Sequence, residues 1–263
     1  MPIPISIFII TRNEADRIGA TLAAVRGLSD DIVVVDGGSN DGTQELAERL
    51  GARVIHHDFE GFGPQKRFAE EACRHDWVLN LDADEVAQPQ LVAAISALFE
   101  NGEPPLRFYR MRIVTVYPGQ SQPRFWADYV APVRLYDRRA GRYSPSLTDD
   151  RVMDGGAPSA TLDGVVWHHS FRSFDHIGRK LSGYSDLQTI EKAQRRSPLV
   201  LGLRLTTEYP MQFAKFFLAR RHWTGGLVGA RYAHEVAAAK RRRIRTLLDA
   251  RLKGAPAGAA EKE

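Results

Sequence analysis

The chain has 263 residues, 43% hydrophobic and 26% charged, enough for one sizeable core with or without an appendage. A single cysteine, Cys73, excludes an internal disulfide framework and fits a reducing compartment. The net charge of +4 conceals an asymmetry: residues 210–253 hold 11 Lys/Arg against Glu235 and Asp249, while the rest of the chain is net acidic, so the basic character belongs to the tail.

The start, "MPIPISIFIITRNE", carries no basic leader and no cleavage site. No stretch reaches the ~18 apolar residues of a membrane-spanning helix. Both point to a cytoplasmic protein. "ISIFII" (5–10) is a continuous β-branched run, the pattern of a strand covered on both faces. "EADRIGATLAAVRGL" follows with Ile18, Leu22 and Val25 at helical spacing. "DIVVVD" (31–36) reads as a second buried strand, "TQELAERLG" as a helix closed by Gly51, and "ARVIHH" (52–57) as a third strand. "GPQKRFAEEACRH" is a helix with Pro64 in its first turn, "WVLNLD" (77–82) a fourth strand, and "QPQLVAAISALFE" a helix opened by Pro89. Past residue 105, "RFYRMRIVTVY", "PVRLYDR" and "GVVWHH" read as further strands between Pro/Gly loops. After Phe174 the chain reads helical, with Pro198 and Pro210 as breaks, and "KGAPAGAAEKE" is low in complexity.

Strand–helix alternation at this spacing predicts an α/β fold, a mostly parallel sheet flanked by helices, with its ligand crevice beyond the carboxyl ends of the strands. Thr11 to Glu14, Asp36 to Thr43, and Asp82 to Glu85 fall there. In "DADE" an extended backbone points Asp82 and Asp84 to one side. Two carboxylates that close call for a cation, and Mg²⁺ or Mn²⁺ takes such oxygens together with substrate phosphates. The competing reading is a solvated turn before a helix whose dipole Glu85 favours. In "VVVDGGSNDGTQE" the glycines and Asp41 fit turn and cap chemistry, whereas Asp36, at a strand tip, suits a base N–H or a ribose hydroxyl. The loop matches neither the dinucleotide G-x-G-x-x-G nor the G-x-x-x-x-G-K-[ST] phosphate cradle.

"FIITRNEADRIGATLAAV", "IVVVDGGSNDGTQELA", "GFGPQKRFAEEACRHDWVLNLDADE" and "VRLYDR", taken together, resemble the family-2 inverting glycosyltransferases of the GT-A fold. Within them the chain is similar to the bacterial branch that adds a sugar, usually glucose, to the lipopolysaccharide inner core. The resemblance implies a Rossmann-like nucleotide-diphospho-sugar transferase with a UDP-sugar donor and a Mg²⁺ or Mn²⁺ ion. It implies that Thr11, Asn13 and Glu14 line the uridine pocket, that Asp36 binds uracil, that Asp82 holds the ribose side and that Asp84 ligates the metal bridging the diphosphate. Lys66 lies where the family often has a basic residue facing the nucleotide-sugar; the alternative is a solvated helix face.

Inversion needs a base that takes the acceptor hydroxyl's proton opposite the leaving group. In "SLTDDRV", Asp150 aligns best with the acid this branch carries, and Asp149 is second; both also suit a turn before Arg151. His168 and His169 follow a short strand, and the resemblance favours His168 as a third metal ligand or phosphate contact. Trp126 and Tyr129 suit either a sugar platform or the core, and Arg134 either an acidic acceptor or a surface bridge to Asp137.

In the tail, Phe213, Phe216 and Phe217 share a helical face beside Lys215, Arg220 and Arg221. A basic helix with an aromatic face suits an anionic inner-leaflet surface, and domain packing is the competing reading. "KRRRIR" would also attract nucleic acid, but no nucleic-acid-binding motif accompanies it. The expected organisation is a GT-A domain over 1–198 (nucleotide-sugar half 1–104, acceptor half 105–198), a basic amphipathic helical extension over 199–253 and a disordered tail over 254–263. The expected function is metal-dependent inverting transfer of a hexose from a UDP-sugar to a lipopolysaccharide inner-core or other lipid-linked saccharide, at the inner membrane. A sugar nucleotidyltransferase and a non-enzymatic basic-tailed adaptor are the alternatives.

Overall fold

The computed structural model describes residues 2–147, 150–183 and 197–252. The chain divides into two compact units, one of residues 1–115 and 129–170, the other of residues 116–128 and 171–263.

The first unit is built on a sheet in which, among the described residues, nine strands pair in the order β3-β2-β1-β4-β8-β6-β11-β5, with β7 on β6. The strands are β1 (Ile5–Thr11), β2 (Asp31–Asp36), β3 (Arg53–His56), β4 (Trp77–Asp82), β5 (Glu85–Ala87), β6 (Phe108–Thr115), β7 (Tyr129–Val130), β8 (Val133–Asp137) and β11 (Ser159–His168); β9 (Arg142–Tyr143) and β10 (Val152–Met153) form a separate hairpin. Helices α1 (Ile18–Ala24), α2 (Thr43–Arg49), α3 (Phe62–Glu71) and α4 (Pro89–Leu98) alternate with the first strands. From β3 to β4 every pairing is parallel. β8 then pairs antiparallel with β4 and β6, β6 and β11 pair parallel, and β5 closes the edge antiparallel.

The apolar runs explain the centre of this sheet. Ile5, Ile7 and Ile9 face one buried cluster with Leu79 and Leu81, while Phe8, Val33 and Val35 face a second with Val78 and Tyr136. A strand buried on both faces needs no polar alternation, and β1 and β4 have none until their carboxyl ends. Register aligns those ends: Thr11 lies opposite Asp36, and Ile10 opposite Asp82.

Three features departed from the sequence pattern. "DADE" is not extended throughout, because β4 stops at Asp82, Ala83 and Asp84 turn, and Glu85 opens a new strand against His168. β11 is longer than "GVVWHH" suggested, with a bulge between Thr161 and Val165. Gly164 sits in that bulge at φ 90, where a Cβ would come within 2.4 Å of Leu91 N, so only glycine lets α4 approach so closely. Pro210 breaks nothing: it lies within a helix that runs from Pro198 to Ala214, although its nitrogen cannot donate to Thr206.

At the opposite end of the strands a buried carboxylate ties three segments together. Asp31 accepts from Ser6 Oγ at 2.6 Å, Arg74 N at 2.8 Å and Arg53 Nη2 at 3.0 Å. Burial works to raise its pKa, but these bonds prevail and hold it below the ordinary 3.8. Asp31→Asn should cost about 2–3 kcal/mol in urea unfolding. Because the folded value is depressed, this stabilisation is complete above the ordinary value of 3.8 and is lost as pH falls through the lowered one, so the two chains should converge in acid.

In the second unit, α5 (Phe174–Gly183), α6 (Pro198–Ala214) and α7 (Gly226–Leu252) are joined by a π-helical turn at Lys215–Ala219 and a 3-10 turn at His222–Gly225. Tyr117, Phe171, Ile177, Tyr232 and Val236 form its main cluster, and Phe216 packs against it. A smaller cluster of Leu201, Ile244 and Leu247 joins α6 to α7. Among the described residues no helix is long and apolar enough to cross a membrane.

Candidate active site

The site lies where β1, β2 and β4 end. Three loops converge there, and each residue's partners state its job.

Asp36 is fully buried. Its Oδ1 accepts from Gly38 N at 2.9 Å, Ser39 N at 2.8 Å and Gln44 Nε2 at 2.7 Å, and its Oδ2 from the Ser39 hydroxyl. Here the carboxylate organises the loop it begins. The β1 and β2 loops are then cross-linked: Asn13 N donates to Ser39 Oγ, Asn40 N to Asn13 Oδ1, and Glu14 N to Thr43 Oγ1, all at 2.8–2.9 Å. Asn13 takes φ 56, the left-handed conformation that asparagine tolerates. Thr11 is different. Its Oγ1 is buried and has no hydrogen-bond partner among the described residues, an expensive state for a hydroxyl that would end if a ligand reached it.

Asp82 and Asp84 face different cations. Lys66 Nζ sits 2.9 Å from Asp82 Oδ1, and Arg134 Nη2 sits 3.1 Å from Asp82 Oδ2. Burial works to raise the pKa of Asp82, but Arg134 and Lys66 prevail and hold it far below the carboxylate range. Arg134 Nη2 also donates to Glu85 Oε1 at 3.0 Å, while Nη1 reaches Asn80 Oδ1. Asp84 instead meets Arg17 Nη1 at 3.3 Å and His168 Nε2 at 3.3 Å, and its backbone oxygen accepts from His169 N. Arg17 Nη1 also donates to His169 O at 2.7 Å and its other nitrogens bond Glu14, so this one side chain joins the β1 loop to the end of β11. Burial works to lower the His168 pKa, but Asp84, then Glu85 and Asp82, raise it.

The third loop brings Asp150. Lys66 Nζ lies 2.9 Å from its Oδ1 and 3.0 Å from its Oδ2. Lys66 itself is fully buried; burial works to lower its pKa, but the carboxylates, Asp82 first, keep the ammonium charged. The contact depends on Gly63, one turn earlier on α3, where a Cβ would stand 2.2 Å from Ser146 O and 2.3 Å from Ser144 O. Any side chain there would push the helix from the loop. A cavity of about 240 Å³ opens beside these groups, lined by Asp82, Arg110, Arg134, Asp150, Asp154 and His168 among others. Asp150 is 37% exposed towards solvent, so its carboxylate is anchored yet reachable.

The sequence profile of Glycosyl transferase family 2 matches residues 6–138, which contain both strand-tip loops, Lys66, "DADE" and Arg134. The chain belongs to that family. It is 33% identical to an uncharacterized glycosyltransferase of Rickettsia prowazekii over 86% of this chain and 80% of that protein. It is 28% identical to the lipopolysaccharide core biosynthesis glycosyltransferase LpsC of Rhizobium meliloti, over 86% of this chain and 85% of that one. Among solved structures it is similar to glucosyl-3-phosphoglycerate synthase from Mycobacterium tuberculosis, solved with Mn²⁺, UDP and glucosyl-3-phosphoglycerate. That match has a TM-score of 0.44 and 21% identity and covers 67% and 75% of the two chains.

This glycosyltransferase, with the α/β sheet its sequence pattern predicts, joins Lys66, Asp82 and Asp150 in one ion-pair network with Arg134 and Glu85, and Asp84 with His168 in a second; His168 lines the same cavity as Asp82 and Asp150. Thr11, Asn13, Glu14 and Asp36 form the neighbouring loop cluster, joined to the Asp84–His168 pair through Arg17. Asp149 lies outside the described residues. Arg134 does not bridge to Asp137, which pairs with Arg107 and Arg139 instead. Trp126 and Tyr129 are both exposed and belong to different units. Arg17 and Glu85 carry the cluster but were missed as site residues; the signal for Arg17 was its place three residues beyond Glu14 in a strand-tip loop.

For a divalent ion, Asp84 and His168 offer a carboxylate and an imidazole on one spot, a donor set that Mg²⁺ or Mn²⁺ accepts when substrate oxygens supply the rest. No group of three His, Cys, Asp or Glu side chains forms a metal site among the described residues. With only these two side chains as donors, such an ion would have to complete its coordination with oxygens from a bound substrate.

Proposed function

We propose that this glycosyltransferase moves a hexose, glucose in the branch it resembles, from a UDP-sugar to a hydroxyl of a lipopolysaccharide inner-core or other lipid-linked saccharide, with inversion. One observation carries the reading: the Asp84–His168 pair and the Lys66 network that anchors Asp150 meet at one open cavity, lined by Asp82, Asp150 and His168. The partial identity to LpsC supports the class of acceptor.

Asp84 and His168 would hold a Mg²⁺ or Mn²⁺ ion, which would supply positive charge to the departing diphosphate. Asp150 takes the acceptor hydroxyl's proton as its oxygen bonds the anomeric carbon and UDP leaves with the electron pair of the broken bond. Lys66 keeps that carboxylate aimed. Thr11, Asn13, Glu14 and Asp36 form the uridine side, with Thr11 Oγ1 ready to bond. Asp82 faces the ribose while Arg134 holds it in place. The cytoplasmic face of an inner membrane is the proposed location, residues 210–253 contributing attraction of ~1 kcal/mol per Lys/Arg near an anionic surface. Phe216 is taken up by the unit's own core, so this attraction rests on charge more than on an aromatic face.

Slow transfer to water provides the test, because it reveals the donor without the acceptor. Among UDP-, GDP- and dTDP-sugars, Mn²⁺-stimulated hydrolysis should be confined to a UDP-hexose. In calorimetry, Asp84→Ala or a chelator should weaken UDP binding about tenfold or more. UDP affinity indifferent to both would remove the metal from the proposal.

A further inference from the structure

We propose that the groove between α6 and α7 binds a phosphate-bearing ligand, independently of the sugar-transfer site. The two helices run antiparallel, with Tyr209 OH 2.7 Å from His234 Nδ1 and Arg241 Nε donating to Leu205 O at 3.3 Å. Between them lies a cavity of about 410 Å³ walled by Leu205, Tyr209, His234, Arg241, Arg242 and Arg245. His234, Ala238, Arg241 or Arg242, and Arg245 recur every three or four residues, so "HEVAAAKRRRIR" lays them along one helix face.

Among the described residues the charge in this cavity is uncompensated. Among the described residues no carboxylate pairs with Arg241, Arg242 or Arg245, whereas Arg204 on α6 is matched by Glu208 at 2.8 Å. Arg242 is further positioned by Gly178 of α5, where a Cβ would stand 2.7 Å from its Nη2. A solvated basic face would spread its guanidiniums over a convex surface. Here three are gathered on a concave wall, and concavity focuses their field.

Each guanidinium offers a planar fork of donors and no acceptor; a carboxylate's two oxygens satisfy one such fork, whereas a phosphate's several oxygens can bond more than one at once. The remaining walls, Leu205, Tyr209 and Ala238, are apolar enough to strengthen those bonds. Two sources of this chemistry exist, a phospholipid headgroup and a soluble phosphate. Leu199 and Leu203, 86% and 70% exposed and lying six and two residues before Leu205, suit acyl chains and favour the lipid.

The test uses the full chain. Sedimentation with phosphatidylcholine vesicles, with and without phosphatidic acid, reads the lipid arm; the thermal midpoint in inorganic phosphate against chloride at equal ionic strength reads the soluble arm. Arg242→Gln with Arg245→Gln should weaken phosphate-dependent binding about tenfold. Lys215→Gln with Arg251→Gln removes the same charge outside the groove; it should leave stabilisation by inorganic phosphate within about twofold and weaken binding to phosphatidic acid vesicles less than the groove variant does. Circular dichroism checks that both variants fold. Binding in the phosphatidic acid arm alone identifies a lipid; stabilisation by inorganic phosphate, lost in the groove variant, identifies a soluble ligand. Equal losses in both double variants, or no phosphate-dependent binding in either arm, overturn the proposal. UDP-sugar hydrolysis is unaffected in every case, so the outcome is separate from that of the transfer reaction.

Discussion

Asp150→Asn is expected to bind UDP-sugar as the parent chain does and to transfer sugar about a thousandfold more slowly. The magnitude is that of a positioned general base, 10²–10⁴ in rate. The isosteric change keeps an oxygen near Lys66 Nζ, now 2.9 Å from Asp150 Oδ1, so the ammonium retains an acceptor and the loop retains its anchor. What disappears is the basic oxygen that accepts a proton. Donor affinity should survive because the bonds described for Asp84, His168 and the β1 and β2 loops run to residues other than Asp150. The measurement pairs calorimetry with UDP and Mn²⁺ against initial rates on the acceptor. Unchanged turnover would move the base to another acid; Asp149, next in the chain, is the candidate to replace next. A tenfold loss of UDP affinity would instead identify Asp150 as part of the donor pocket.

Lys66 shows why part of this site was legible in the sequence and part was not. The parallel half of the sheet announces itself because strands buried on both faces are continuous apolar runs, as in "ISIFII", "DIVVVD" and "WVLNLD". Their polar ends then mark the crevice without further information, since such sheets bind ligands at their carboxyl edge. The cations that answer those carboxylates are another matter. Lys66 sits on a helix whose pattern fits a solvated face equally well; its full burial follows from the close approach at Gly63 to residues 144–146, a contact some eighty residues distant. Arg134 alternates with Val133 and Leu135 as a half-exposed strand would, yet all three are buried because β4 and β6 flank the strand. Glu85 resembles the opening of a helix, and only β11, drawn in from the far side of the chain, makes it a strand residue. Local pattern thus located the acids; long-range pairing determined what neutralises them, and the first answer is Lys66, Arg134 and Arg17, all supplied by the chain itself.

The buried cluster's dependence on Arg134 leads to the largest stability effect. Arg134→Met should cost about 3–5 kcal/mol in urea unfolding, the range for removing one partner from a buried ion pair. Lys66 still neutralises Asp82 in that variant, but Glu85, 1% exposed, keeps only the Asp82 N–H at 3.0 Å. Already in the parent chain burial pushes the Glu85 carboxyl up; Arg134 draws it down, and the neighbouring Asp82 adds to the rise. Without the guanidinium the rise must grow. A group whose folded pKa exceeds its unfolded value contributes stability below the unfolded value and loses it as pH rises through the folded one. The deficit of Arg134→Met should therefore be smallest near the ordinary glutamate value of 4.5 and widen towards neutrality. Adding Glu85→Gln to Arg134→Met removes the unpaired charge, so the double variant should regain about 2 kcal/mol at neutral pH and lose the pH dependence. A deficit that is flat with pH and not relieved by Glu85→Gln would mean that Arg134 matters through its bonds to Asn80 and its packing, not as the counter-charge of Glu85.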